Sequence, residues 1–387
     1  MESTIFIVVN SFGKGGAELS LAILAAELSK LKHRVFYIAL WKEVNSYDFD
    51  WLRETGANVC ILSNSRSNYL TRFIKLFKLI KQNRPVFIYS AMLNSNIISQ
   101  IFSFIHSIPH AASIRNNPAT YYGKTWHKKL IFSLGMVFQR NIVFISSKSK
   151  SEYLQSTYGK LLRKKRNYVL HNPIKADSRI NDEFLRNKFR SIKEKLNAFL
   201  IGDSDVVIKL VIASRLVNGK GVMEMLEQSK DVFQNSRLHL HIYGTGILET
   251  KIKEYIFKEF PKKNVILMGY EKDPYKIYCN SEIFVFPSGS EGFGRAPFEA
   301  LLMGSLVYCN EKVSIIDEFI NDNLIWQDYS IYPNWDKALL KFSQIDPDHC
   351  VQLTKQVTNM LSPKTHATEF EKMIEFFVID YSRKNAG

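Results

Sequence analysis

Glu291 and Glu299 stand at the two ends of Glu291-Gly292-Phe293-Gly294-Arg295-Ala296-Pro297-Phe298-Glu299, with seven residues between them. A carboxylate accepts hydrogen bonds from hydroxyls, which is what holding a sugar or a ribose requires. Gly292 and Gly294 carry no Cβ, so the backbone between the carboxylates can come close to a ligand. The segment Pro287-Ser288-Gly289-Ser290 before it follows an apolar, strand-like run, Ile283–Phe286, and Leu301 and Leu302 after it continue a helical pattern. The two carboxylates therefore bracket a loop that leaves a strand and opens a helix. In an α/β sheet the carboxyl ends of strands are where ligands bind, and a helix N-terminus there offers free N–H groups and partial positive charge. The plainer reading is a capped surface helix with two solvated glutamates. The Ser-x-Ser-Glu-Gly-Phe-Gly run argues against it.

This segment resembles the signature of the retaining glycosyltransferases of family 4, whose motif is Glu, seven residues, Glu. The resemblance implies an α/β protein of the GT-B fold: two Rossmann-like domains facing an interdomain cleft, with a C-terminal helix crossing back to the first domain. It implies that Glu291 faces the hydroxyls of the donor sugar and that Glu299 holds the nucleotide's ribose. The backbone of Gly292, Phe293 and Gly294 would then line the sugar and phosphate.

Other strand-to-helix turns carry further candidates. Ser11-Phe12-Gly13-Lys14-Gly15-Gly16-Ala17-Glu18 joins the first strand to the first helix. Glycine-rich turns of this kind let backbone N–H groups meet phosphate or a sugar ring. The dinucleotide fingerprint G-x-G-x-x-G fails, because its third glycine falls on Glu18. The run resembles the first-loop motif of the same family, which implies that Gly15 and Gly16 approach the donor diphosphate. Arg215 and Lys220 follow the strand Val206–Ala213. An arginine fork and a lysine point charge suit a diphosphate without a metal, and the pair resembles the family's Arg…Lys-Gly element. Gly244, after the strand Leu238–Tyr243, and Tyr270, after Val265–Met268, stand where the resemblance implies nucleotide and base contacts.

The acceptor side is less familiar. Many family members carry a histidine after a mid-domain strand of the first half; here His110-Ala111-Ala112-Ser113-Ile114 is followed by Arg115 and Asn116. Arg115 or Asn116 takes that place, and an arginine there suits an acidic or phosphorylated group. His110, at the strand's start, reads as structural.

These turns need a frame that delivers them to one edge of a sheet. The chain has 387 residues, 46% hydrophobic and 23% charged, which suits two globular domains. The first half alternates strand-like runs (Ile5–Asn10, Val35–Leu40, Val59–Leu62, Val86–Tyr89, Ala111–Ile114, Ile142–Ile145, Tyr168–Leu170) with helical ones, the pattern of βαβ units. Pro173 ends the last of them. The second half restarts at Val206 and adds strands at Leu238–Tyr243, Val265–Met268, Ile283–Phe286 and Leu306–Cys309. We expect an acceptor domain over 1–175, a donor domain over 176–362 and a terminal helix over 363–387. The charged run Asp177–Leu200 reads as a polar helix, an insertion beside the linker.

Four scattered cysteines without a CxxC pair point to a reducing, cytoplasmic compartment. The apolar run Ile5–Val9 is short for a signal peptide and lacks a basic flank. No window is apolar enough for a membrane span; Gln139, Arg140 and Asn141 interrupt the best one. The net charge of +15 is unevenly placed: residues 1–175 hold 25 Lys+Arg against 8 Asp+Glu, the remainder 27 against 29. A half-molecule at +17 beside one at −2 implies an anionic partner for the first half.

Within that half, Tyr69–Lys81 sets Phe73, Leu76, Phe77 and Ile80 on one helical face, with Arg72, Lys75, Lys78 and Lys81 toward the others. This reads as a core-facing helix with a solvated basic face, or as an interfacial helix on anionic lipid at the inner face of the plasma membrane. Thr125–Phe132 and Leu161–Arg166 repeat the basic and apolar mixture.

The resemblance, taken with these residues, implies transfer of a sugar, with retention, from a nucleotide-sugar (UDP-sugar before GDP-sugar) to a glycan hydroxyl. The charge asymmetry suggests a polyprenyl-pyrophosphate-linked saccharide as acceptor, in O-antigen, lipopolysaccharide or capsule assembly. Neither metal nor other cofactor is expected, since Asp203-Ser204-Asp205 precedes its strand instead of ending one. Two other classes stay open. An NAD(P)-dependent oxidoreductase would share the strands, against the failed glycine fingerprint. A non-catalytic nucleotide- or nucleic-acid-binding protein would explain the charge and leave the Glu291–Glu299 loop unexplained; no nucleic-acid motif is present.

Overall fold

The computed structural model of the chain describes residues 2–385 except Lys14, 44–49, 116–134, 136, 157–158, Ser290, 311–324 and 329–333; for 325–328 and 379–385 it describes the backbone alone. The chain divides into two units, Met1–Pro173 with Leu361–Gly387, and Ile174–Met360.

The first unit runs β1 (Thr4–Phe12), α1 (Gly16–Lys30), β2 (Arg34–Lys42), α2 (Asp50–Glu54), β3 (Asn58–Ile61), α3 (Tyr69–Asn83), β4 (Phe87–Ala91), α4 (Leu93–His106), β5 (His110–Ile114), β6 (Asn141–Phe144), α5 (Ser147–Gln155), α6 (Gly159–Arg163) and β7 (Arg166–Val169). All seven strands are parallel, in the order β3-β2-β1-β4-β5-β6-β7. A parallel sheet is covered on both faces, so its strands are apolar throughout. In β1, Ile5, Ile7 and Val9 join the core beneath α1, while Phe6 and Val8 join the one beneath α3 and α4. The first core also takes in Ala367, Phe370, Met373 and Phe377, so the chain's last helix belongs to this unit. Each such fully buried large side chain stabilises the fold by about 1.5–3 kcal/mol.

The second unit runs α7 (Asp182–Leu200), β8 (Ile208–Ala213), α8 (Val222–Gln228), α9 (Lys230–Asn235), β9 (Leu238–Tyr243), α10 (Glu249–Glu259), β10 (Val265–Gly269), α11 (Pro274–Tyr278), β11 (Ile283–Phe286), α12 (Arg295–Leu302), β12 (Leu306–Asn310), β13 (Ile325–Asp328), α13 (Trp335–Ser343) and α14 (Pro347–Leu361); α15 (Pro363–Asn385) completes the chain. The second sheet is again all parallel, β10-β9-β8-β11-β12-β13. Both sheets thus have the doubly wound order of a Rossmann fold.

The expectation that Asp177–Leu200 is a polar insertion is corrected. Asn181 caps α7, its Oδ1 accepting the N–H of Phe184 at 2.8 Å. Leu185, Phe189, Ile192 and Leu196 are buried, and the helix packs on α13 and β8 as an integral part of the unit. Most of its charged residues form the solvent face of an amphipathic helix, while Lys188 turns inward and donates through Nζ to Tyr278 O at 2.8 Å and Met303 O at 2.9 Å. Among the described residues no helix is long and apolar enough to cross a membrane.

Candidate active site

The second sheet has a point where its connections diverge. From β8 the chain passes through α8 and α9 to β9 on one side; from β11 it passes through α12 to β12 on the other. Adjacent parallel strands with diverging connections leave a crevice at their carboxyl ends, the usual ligand position in such sheets. The loop bearing Arg215 and Lys220 leaves β8 there, and the loop bearing Glu291 leaves β11.

The two loops meet through charge. Lys220 Nζ donates to Glu291 Oε1, and Ser288 Oγ donates to the same oxygen at 3.1 Å. The Lys220 and Glu291 side chains retain 19% and 17% of their exposure, so the pair is half-buried but open to a ligand. Arg215, on the same loop as Lys220, is exposed.

Glycines let the loops stack backbone to backbone. Gly221 has φ +73°, and a Cβ there would come within 2.1 Å of Pro287 O. Gly244 has φ +136°, and its Cβ would fall 1.8 Å from Ser214 O. Gly244 was expected in the nucleotide pocket. The requirement for glycine there comes from the neighbouring β8 loop, against which its own loop is also hydrogen-bonded, Leu216 N–H to Thr245 O at 2.9 Å.

Gly294 begins α12 at φ +72° and supplies no side-chain cap. Left-handed backbone favours glycine, and a helix start carries partial positive charge suited to an anionic ligand. Gly292 is buried, and the Phe293 ring packs on Phe298 at 5.4 Å between centroids. That ring anchors the loop, so only the backbone at 293 is left for recognition. Glu299, one turn into α12, is held by Arg295, whose Nε and Nη2 lie 3.2 and 3.1 Å from its Oε1. Tyr270 follows β10 and is 59% exposed.

The first unit gathers its candidates at the carboxyl edge of its own sheet. Gly15 caps α1 and Gly16 is its first residue. A Cβ on Gly15 would lie 2.1 Å from Glu18 Oε2, so that buried carboxylate folds back over the helix start. Arg115, just past β5, is buried and donates through Nη1 to Asn172 Oδ1 at 2.6 Å. Its Nε finds no hydrogen-bond partner among the described residues. Tyr37 lies within electrostatic reach of both Glu18 and Arg115, and burial first, then Glu18, raises its hydroxyl well above the ordinary range. Asn116 lies outside the described residues.

Two histidines of this unit are structural in character. His110 is fully enclosed, with Nε2 2.7 Å from Ser90 Oγ and Nδ1 3.1 Å from Gln100 Oε1, and burial lowers its pKa to about 3. His366, in the first turn of α15, is lowered to about 3 by burial and then by Arg115 and His171. Among the described residues no three His, Cys, Asp or Glu side chains are grouped to hold a metal ion.

Sequence reasoning found Glu291, Lys220 and Glu299 but missed their holders. Ser288 and Arg295 were visible as neighbours in the motif. Their grip on the carboxylates depends on loop geometry that spacing does not carry. Asn172 and His366 come to Arg115 from 57 and 251 positions away, and no local signal links them.

Residues 201–345 match the family "Glycosyl transferases group 1". An uncharacterized glycosyltransferase of Methanocaldococcus jannaschii is 25% identical over 317 residues, 76% of this chain and 75% of that protein. The N-acetylgalactosamine-N,N'-diacetylbacillosaminyl-diphospho-undecaprenol 4-alpha-N-acetylgalactosaminyltransferase of Campylobacter jejuni is 23% identical over 82% of this chain and 83% of its own. Among solved structures, Anabaena HepE in complex with UDP superposes with a TM-score of 0.73 at 16% identity, over 97% of this chain and 100% of HepE, so the two share the GT-B fold. Residues 201–345 thus form a group 1 glycosyltransferase domain, carried on a chain of GT-B fold.

Proposed function

We propose that the chain moves a sugar from a nucleoside-diphosphate sugar, UDP-sugar first, to a hydroxyl of a lipid-linked saccharide, keeping the anomeric configuration. The observation that carries this reading is the Lys220–Glu291 pair across the point where the second sheet's connections diverge. Without donor, each charge balances the other. With donor, Lys220 and Arg215 turn to the diphosphate and Glu291 accepts from sugar hydroxyls, while the α12 start near Gly294 faces the phosphate. Glu299 takes the ribose and Tyr270 the base.

In the transfer, the bond from the sugar's anomeric carbon to the β-phosphate oxygen breaks and a bond to the acceptor oxygen forms. The acceptor's proton passes to the departing diphosphate on the same face. Charge grows on that diphosphate, so fixed cations and N–H donors aimed at it lower the barrier. Arg215 and Lys220 supply the cations from the protein, which is the basis for expecting no metal requirement. Gly15, Gly16 and Arg115 are assigned to the first domain's share of phosphate and acceptor recognition. The Campylobacter relative's name records a diphospho-undecaprenol acceptor and an alpha linkage, and HepE was solved with UDP; both support the reading. Surface-polysaccharide assembly is the setting this acceptor class suggests.

Thermal unfolding against UDP, GDP, ADP, CDP, dTDP and NAD, with and without EDTA, tests it. A ligand at 100 times its Kd adds about 2.7 kcal/mol. The expected result is a shift with UDP that EDTA leaves intact and Lys220→Ala removes. No response to any diphosphate, or a response to NAD alone, overturns the assignment.

A further inference from the structure

Residues 55–151 contain no Asp or Glu at all, and 13 Lys or Arg. Within this acid-free stretch lie α3 and α4, neighbours over one face of the first sheet: the Phe73 and Phe77 rings lie 4.6 and 6.2 Å from Phe102, and Phe77 lies 5.3 Å from His106. Each helix is apolar on two arcs. On α3, Leu76 and Ile80 enter the core, while Leu70, Ile74 and Phe77, one to two turns apart on the adjoining arc, stay 72%, 44% and 36% exposed. On α4, Phe102 enters the core, while Ile101, Phe104 and Ile105 are 43%, 48% and 56% exposed. No residue of α4 is Lys, Arg, Asp or Glu, which is unusual for a helix with a solvent face.

At 3.6 residues per turn, Lys78 flanks the exposed arc of α3 and Lys81 closes that arc at the helix's C-terminal end, both exposed. Beyond α4, the exposed Arg140 sets its guanidinium 4.8 Å from the Phe104 ring. An apolar surface with long cations at its margin matches a lipid interface, where the stems lie along the acyl region and the heads reach phosphate. A protein partner is a poorer fit, because lysine is depleted and tyrosine, tryptophan and arginine enriched at such interfaces. The sequence left α3 open between a core helix and an interfacial one. Its core face adjoins an exposed apolar arc, and α4 supplies the second half of that surface.

We propose that the joined exposed arcs of α3 and α4 dock this chain on an anionic lipid surface, through Leu70, Ile74, Phe77, Ile101, Phe104 and Ile105 with Lys78, Lys81 and Arg140 at the rim. The proposal stands on the first unit alone and is independent of the donor assignment in the second.

The test is sedimentation of the full chain with vesicles of phosphatidylcholine alone and of phosphatidylcholine with phosphatidylglycerol in equal parts, at low and raised salt. The wild type is expected to sediment with the anionic vesicles only. Leu70→Ser with Ile74→Ser and Ile105→Ser should abolish this at both salts. Lys78→Glu with Lys81→Glu should weaken it at least about 25-fold at low salt, from roughly fivefold per lysine. All five substituted residues are exposed, so the unfolding midpoint and the UDP shift serve as controls that each variant is folded. Two results overturn the proposal: a wild type that stays in the supernatant with anionic vesicles at low salt, or a serine variant that binds as the wild type does. Capture by nucleic acid that the glutamate variant loses and the serine variant keeps, without vesicle binding, would assign the cations to nucleic acid instead.

Discussion

Both sheets are wound in the same order, yet the surfaces laid over them follow different electrostatics. In the second unit acids and bases meet: Lys195 with Glu282, Lys230 with Glu259 and Arg186 with Asp348, each at 2.6 Å, and Arg179 with both Asp177 and Asp273. In the first unit the described pairs lie near the chain's two ends, such as Lys30–Glu27 and Lys372–Glu369, because residues 55–151 offer no carboxylate. Exposed pairs contribute little stability, so neither pattern is needed to hold its sheet. The fold is set by apolar strands and helix faces common to both units. Charge is free to follow what each surface is proposed to meet: a small ligand requiring a few placed ions in one, an extended anionic partner in the other.

The sharpest way to break that comparison is to remove the placed ions. Lys220→Ala and Glu291→Gln should each lower kcat by about a hundred- to a thousandfold, the range for losing one preorganised group at a site of developing charge. Because the two side chains are bonded to each other, the double variant should lose less than the product of the single losses. Steady-state transfer from a UDP-sugar, with the unfolding midpoint as control, reads both. Near-wild-type turnover in Glu291→Gln would reject its role. A large loss from charge changes on α3 instead would mean that the division of labour between the units is wrong.

A second contrast concerns glycine. Gly244→Ala drives a Cβ to 1.8 Å from Ser214 O at φ +136°. Gly56→Ala, in the first unit, meets nothing within 4 Å at φ +88°. The first should cost about 3 kcal/mol or more, backbone strain plus a clash that no rotamer relieves. The second should cost about 1–2 kcal/mol, the left-handed penalty alone. Urea midpoints measure the difference. Equal effects would mean that the stacking of the β8 and β9 loops contributes nothing beyond backbone conformation.

This contrast also marks what the sequence could carry. Every strand-like run in it became a strand, because strands buried on both faces are written as unbroken apolar stretches such as Ile5–Val9 and Ile283–Phe286. β13, Ile-Trp-Gln-Asp, has no such stretch and was not anticipated. α7 was taken for an insertion because its charges dominate a linear reading, while its core contacts come at a 3.6-residue spacing, Leu185, Phe189, Ile192 and Leu196. At the candidate site, the carboxylates and glycines were legible as types at fixed spacings. The reason Gly244 must be glycine was not, since Ser214 stands 30 positions away. Arg115 was legible as a cation after a strand; its bond to Asn172, just past β7, and its electrostatic reach to His366 on α15 were not.

The smallest of these effects is also the most local to the first unit. His110 and His366 are each lowered from an ordinary 6.5 to about 3, chiefly by burial. Between those values the unfolded chain binds protons that the folded one does not, so stability falls as pH falls through that window and is insensitive above it. Each histidine contributes a slope of up to about 1.4 kcal/mol per pH unit. His110→Gln keeps a donor and an acceptor for Ser90 and Gln100 and should remove one such slope. At pH 5 it should recover about 2 kcal/mol of the acid loss relative to wild type while changing little at pH 7. His241, in the second unit, is also lowered by burial but is only half-buried on β9, so its contribution is smaller. Urea unfolding at several pH values, with hydrogen exchange resolved by segment, should therefore show acid loosening β4, β5 and the start of α15 before β8 and β11. Loosening of the second sheet first would mean that something other than these two enclosed imidazoles sets the acid limit.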